Sequence, residues 1–198
     1  MTSMSLTGPW RAVVTATESL GAGTFGAAIE AAVASEAMLM LKYVSEGFRN
    51  QGLVRKWDKL SPITMAIRQK LHGFGGSKAL QVSGSLKRSV TAKKVGTHAY
   101  FVGVHRSVTG PKGRPLMNIA AIHEGPYPTL IPVTEKMRKF FMSLFLQGII
   151  ERPLKRSRKV LVIMPRPFLR PAFEKVKEGS QRRMIAKIQS FIKAGSFK

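Results

Sequence analysis

From Thr24 onward, apolar side chains recur every three or four residues: Phe25, Ile29, Val33, Ala37, Leu41, Val44 and Phe48. That period puts them on one stripe of an α-helix, with the glutamates on the other side. Gly52 stops the helix, which at its rise per residue is about 35–40 Å long. Residues 1–23 are rich in Ser, Thr, Gly and Ala, and Trp10 to Thr17 reads as a short strand or an extended arm. A second helix starts at Ser61-Pro62, where serine caps free amides and proline suits the first helical position. Ile63, Ile67 and Leu71 form its apolar stripe, Gly73 ends it, and residues 73–79 form a flexible loop.

Alternation then replaces the helical period. Val90 to Val95 and His98 to Val104 flank Gly96-Thr97, a two-residue hairpin signal. Residues 106–117 read as an exposed basic loop, Asn118 to Glu124 as a short helix, and Thr129 to Val133 as a short strand limited by Pro132. Thr134 caps a helix to about Gln147, with Met137, Phe140, Phe141, Leu144 and Phe145 facing inward. Residues 151–159 are a basic linker, Lys159 to Met164 a strand, and Pro171 opens a last basic helix to about Lys193. No repeat of 20–50 residues occurs. This order predicts an α+β fold: a small antiparallel sheet packed by a long N-terminal helix and further helices, with a C-terminal helix. Two parts are expected, residues 1–52 as arm and long helix and residues 53–198 as the α+β domain.

Composition adds a strong bias. Thirty-three Lys and Arg face ten acids, for a net charge of +23, in a chain that is 44% apolar and has no cysteine. The apolar share supplies a core. The missing cysteines exclude disulfides, thiolate metal sites and cysteine nucleophiles. No run of about 18–20 uninterrupted apolar residues marks a membrane span, and the N-terminus, with Glu30 and Glu36 in its alanine-rich run, does not read as a signal peptide. Residues 1–52 carry −1 and residues 53–198 carry +24. Such a field draws polyanions, nucleic acid first. Lys93, Lys94, Arg106, Lys112, Arg114, Arg152, Lys155, Arg156, Arg158 and Lys159 sit in expected loops and faces, a distribution suited to contact with phosphates or acidic partners rather than base reading.

Candidate chemistry is sparse. Gly21-Ala22-Gly23-Thr24-Phe25-Gly26 spells G-x-G-x-x-G, with Glu46 about 20 residues on, but no strand abuts it and no βαβ unit follows. It is read as a hinge into the long helix. Asp58 is the lone aspartate, and His72, His98, His105 and His123 show no metal-binding spacing. No G-x-S-x-G elbow is present. Neither catalysis, a metal nor a cofactor is expected. The basic amphipathic stretch Lys136 to Ile150 suits a membrane surface, but a core-packing helix with a basic outer face is the reading taken.

Four segments in order resemble the virion-morphogenesis family of tailed bacteriophages, of the Mu protein G type, which includes tail-completion and neck proteins. Trp57-Asp58-Lys59-Leu60-Ser61-Pro62 is similar to its W-x-x-L-S helix start. Leu80 to Val90, containing Ser83, Gly84, Leu86 and Ser89, is similar to its L-x-x-[ST]-G-x-L-x-x-S-[IV] element. Ile119 to Gly125, containing His123, resembles the Y-A-x-I-H-x-G turn, with Asn118-Ile119 where tyrosine is usual. Pro165-Arg166-Pro167-Phe168-Leu169-Arg170-Pro171 resembles the closing P-x-R-P-F-L motif, one residue shorter before the arginine. Val133 to Arg138 also looks like an insertion of longer members.

In physical terms, Ser83-Gly84 turns the chain before a strand. Arg166 stands between prolines that stiffen it, facing either a partner or an internal ion pair. Phe168 and Leu169 anchor the turn in the core. The resemblance implies a non-enzymatic structural protein of the virion, at the head–tail junction after assembly in the host cytoplasm. It implies a homo-oligomeric ring of six or twelve copies. Its partners would be other neck, connector and tail proteins and, without sequence preference, the DNA in the lumen; no membrane partner is implied. A free sequence-independent nucleic-acid-binding protein is the alternative.

Overall fold

A computed structural model describes residues 10–72, 76–110 and 113–195. Among them are seven helices and four strands, an α+β fold: α1 (Trp10–Asn50), α2 (Pro62–His72), α3 (Ser85–Ser89), β1 (Val90–Gly96), β2 (Ala99–Val104), α4 (Leu116–Glu124), β3 (Thr129–Pro132), α5 (Glu135–Leu146), β4 (Val160–Ile163), α6 (Leu169–Lys177) and α7 (Ser180–Gly195). The strands form two separate two-stranded sheets, β1–β2 and β3–β4, rather than one. In the second, Thr129 pairs with Ile163 and Pro132 with Val160, antiparallel.

The long helix starts earlier than its apolar stripe. Trp10–Thr17 is helical, neither strand nor arm, and Gly21–Gly26 lies inside α1, so it is neither a hinge nor a phosphate-binding turn. The physical reason is that the segment from Trp10 to Asn50 has no proline. Its glycines each cost only about 1 kcal/mol in a helix, and Ala28 and Ala32 are fully buried farther along it. Forty-one residues make α1 about 60 Å long. Residues Gly23–Asn50 have the length and apolarity of a membrane-crossing helix, yet Glu30 and Glu36 within them are ion-paired inside the protein.

Contacts gather the chain into two compact units that do not follow chain order. The first holds the described residues up to Met40, Ala92–Val102 and the chain from Glu174. The second holds Leu41–Thr91 and Gly103–Phe173. The expected division at residue 52 runs by sequence, whereas this boundary falls within α1.

In the first unit the two glutamates do not face water alone. Glu30 takes the Lys94 ammonium at 2.9 Å and the His98 backbone N–H at 3.0 Å, at the turn between β1 and β2. His98 there has a φ of 56°. Glu36 takes Arg183 in a two-pronged pair at 2.7 and 2.9 Å. Arg183 also donates to the carbonyls of Glu178 and Val176. The expected single C-terminal helix is broken into α6 and α7 at Gly179, whose φ is 71°, a left-handed conformation that ends helices.

In the second unit the core is aromatic. Phe48 and Phe168 are fully buried with ring centres 4.9 Å apart, and Trp57 meets Phe48 edge-on at 5.7 Å. The turn after α1 is fixed by Gly52, at φ 117°, where a Cβ would lie 2.0 Å from the Arg55 carbonyl oxygen. Ser61 caps α2 as expected, accepting the Thr64 N–H at 3.2 Å. The α2 stripe departs in part from the expected one: Ile63 is exposed, Ile67 is half-buried and Arg68 is buried, while the Leu71 side chain lies outside the described residues. α5 departs further. Thr134 caps it, but Leu144 is its only buried residue; Phe140 (45%) and Phe145 (39%) stand exposed, with Leu146 at 77%. Its apolar stripe is covered only in part, with Met137 and Phe141 half-buried.

Candidate functional site

Three of the four motif segments meet around the Phe48–Phe168 core. The Trp57 indole N–H donates to the Pro167 carbonyl at 3.2 Å. The Arg166 guanidinium donates to the Asp58 carbonyl at 3.3 Å, and the Arg166 backbone N–H to the His123 carbonyl at 3.1 Å. Glu124 completes the knot: its carboxylate accepts the backbone N–H groups of Phe168 at 2.6 Å, Leu169 at 2.7 Å and Arg170 at 3.1 Å. These are free amides at the start of α6, where the helix dipole favours an anion. Gly125 closes α4 through its N–H to the Ala121 carbonyl. Phe168 anchors the turn as the sequence suggested, and Leu169 begins α6 beside it.

The fourth segment faces a cavity of about 520 Å³. Gly84 (φ 69°) starts not a strand but the short helix α3, which then feeds β1. The Ser83 hydroxyl lies 2.8 Å from that of Ser85, and the Ser83 carbonyl takes Arg88 at 2.9 Å. Leu86 is buried and lines the cavity with Leu60, His123, Arg166 and Arg68. Arg68 donates to the carbonyls of Gly76 and Lys78 at 3.2 and 2.8 Å. Burial lowers its pKa, and the nearby Arg166 charge lowers it further. His123 is pushed below its ordinary value, first by burial and then by Arg166. The internal ion pair considered for Arg166 is absent among the described residues: its guanidinium donates to a backbone carbonyl instead.

The basic residues lie on several separate segments of the chain. Lys155, Arg156 and Arg158 are exposed on one loop, which Arg138 pins by donating to the carbonyls of Lys155 (3.2 Å) and Arg158 (2.8 Å). Arg106 and Arg114 are exposed near the Thr109–Pro115 bridge. Lys93 is exposed on β1, while Lys94 is committed to Glu30. Lys112 lies outside the described residues.

Sequence reading missed Glu124 and Arg68. The first was hidden because a glutamate at the end of a helix looks ill placed until the start of α6 is seen beside it. The second had a signal, an arginine within the apolar rows of α2. Family models, curated proteins and solved structures were all compared with the chain, and none matches it.

Proposed function

We propose that the chain is a non-enzymatic structural protein of a tailed-phage virion, forming a homo-oligomeric ring at the head–tail neck through which DNA passes. The observation that carries this reading is the convergence of the motif segments. Residues 57–62, 119–125 and 165–171, far apart in sequence, are tied by Trp57, Glu124 and Arg166 into one knot, and the Leu80–Val90 segment lines the adjoining cavity. Such convergence is what a shared structural role of these segments would produce.

Two further features suit subunits of a ring. The exposed apolar side chains Phe140, Met142, Phe145 and Leu146 of α5 offer a face for a neighbouring copy. The loop bearing Lys155, Arg156 and Arg158 offers charge for DNA phosphates or acidic neighbours. Negative-stain imaging of the purified protein tests the reading: rings of six or twelve copies are expected, and labelled antibody should mark the neck of the virion. A monomer that binds duplex DNA with a steep salt dependence and is absent from virions would instead favour the free nucleic-acid-binding alternative.

A further inference from the structure

The cavity beside the motif knot has the chemistry of a socket. Its rim and walls carry three cationic side chains, Lys59, Arg68 and Arg166, against a single carboxylate, Asp58. Neither arginine has a carboxylate partner among the described residues. Burial first, and then the Arg166 charge, depresses the proton affinity of Arg68, so the two guanidinium groups share this cavity at an electrostatic cost that a bound anion would reduce.

A second observation points the same way. His123 is only 8% exposed and lines the cavity. Its ring Nδ1 is buried with no hydrogen-bond partner among the described residues, as is Arg166 Nε. Buried polar atoms without partners are uncommon and costly. Between these polar groups the walls are apolar, with Leu60, Leu86, Ile119 and Val162 among them.

The position of β4 shapes the occupant. Among the described strands β4 pairs only with β3. Val162, Ile163 and Met164 all line the cavity. Val162 and Ile163 are consecutive strand residues, which point to opposite faces, so the cavity meets β4 along its edge, and Met164 follows the strand. A strand edge is where an extended segment can add as a further strand. The volume, about 520 Å³, lies within the roughly 300–1,000 Å³ of ordinary ligand pockets.

We propose that this cavity is a docking socket for an extended peptide segment of a partner protein, with apolar side chains against the walls and a carboxylate between Arg166, Arg68 and His123. Duplex DNA fits it poorly: its phosphates lie along an open, hydrated backbone, whereas these walls are apolar and concave. The proposal does not rest on the ring or on the virion, since it concerns a single folded chain.

Fluorescence anisotropy on the full chain at about 150 mM salt, where weak surface attraction is largely screened, tests it. The probes are a fluorescein-labelled peptide of alternating leucine and glutamate, its glutamine counterpart, and a labelled oligothymidylate. The glutamate peptide should bind roughly tenfold or more tightly than the glutamine peptide. Arg166→Gln should weaken it by a similar factor. Lys59→Glu, at an exposed position that leaves the core untouched, should do the same, while Lys155→Gln, at a residue that does not line the cavity, should change nothing. Equal binding of the two peptides overturns the proposal, as does glutamate-peptide binding indifferent to both Arg166→Gln and Lys59→Glu. Displacement of the peptide by oligothymidylate at the same residues would assign the cavity to nucleic acid and overturn it also.

Discussion

Glu124 ends one helix and begins another with a single carboxylate. At the end of α4 its charge opposes the helix dipole, and at the start of α6 it meets three amides that need an acceptor. Charge-assisted bonds of this kind are stronger than neutral ones. Glu124→Gln keeps the size but replaces one acceptor with a donor facing an amide, so a loss of about 1–3 kcal/mol is expected, read as a lower urea midpoint at unchanged slope. Glu30 makes a different prediction. Its pKa is lowered from 4.5, chiefly by the Lys94 hydrogen bond, and that of Lys94 is raised from 10.5 by the same bond. A lowered carboxylate stabilises the fold above its unfolded value and loses that effect as pH falls through the folded value; a raised ammonium loses it as pH rises. Thermal midpoints of wild type minus Glu30→Gln should therefore be largest between about pH 4.5 and 10.5 and shrink on either side. A difference that grew on acidification below pH 4 would contradict the assignment.

Elements were legible where a local signal and the tertiary need agreed. Ser61-Pro62 gave the start of α2, Thr134 that of α5, and the residues around Gly96-Thr97 the hairpin, each by side chains that act within a few residues. Residues Trp10–Leu20 misled because Val, Thr and Ser weigh against helix locally, while helix formation is cooperative along an uninterrupted chain. The apolar period of α5 correctly marked a helix, but periodicity says which side is apolar and not whether anything covers it. Of the site, Phe168 and the motif positions were readable; the partners of Arg166 were not, because a backbone carbonyl 108 residues away leaves no trace in sequence. Gly52 is the element boundary most exposed to test. Its φ of 117° and the 2.0 Å approach of the Arg55 carbonyl leave no room for a methyl group. Gly52→Ala should cost about 2–4 kcal/mol and shift the denaturation midpoint far more than Gly23→Ala, where nothing lies within 4 Å.

For the whole molecule, charge and apolar surface pull in opposite directions. A net charge of +23 makes copies repel, while the face of α5 invites them to associate. Assembly of identical chains should therefore be weak at low salt and strengthen as salt or a polyanion screens the repulsion. In the imaging experiment, replacing Phe145 and Leu146 together by serine should abolish rings and leave the circular dichroism spectrum unchanged, because neither side chain is buried. Rings that survive this double substitution would place the subunit interface elsewhere.

The pairing of β3 with β4 carries one more consequence. From Thr129↔Ile163 to Pro132↔Val160 the two strands are a closed ladder, and everything from Val133 to Lys159 hangs beyond it, joined at its base by the Val133 N–H to the Lys159 carbonyl. The entropy of closing a loop grows only slowly with its length. The α5 excursion is thus a cassette: evolution or an engineer can lengthen, shorten or exchange it while the knot of Trp57, Glu124 and Phe168 keeps its shape. Diversity of attachment and constancy of scaffold are in this way written into separate stretches of one chain.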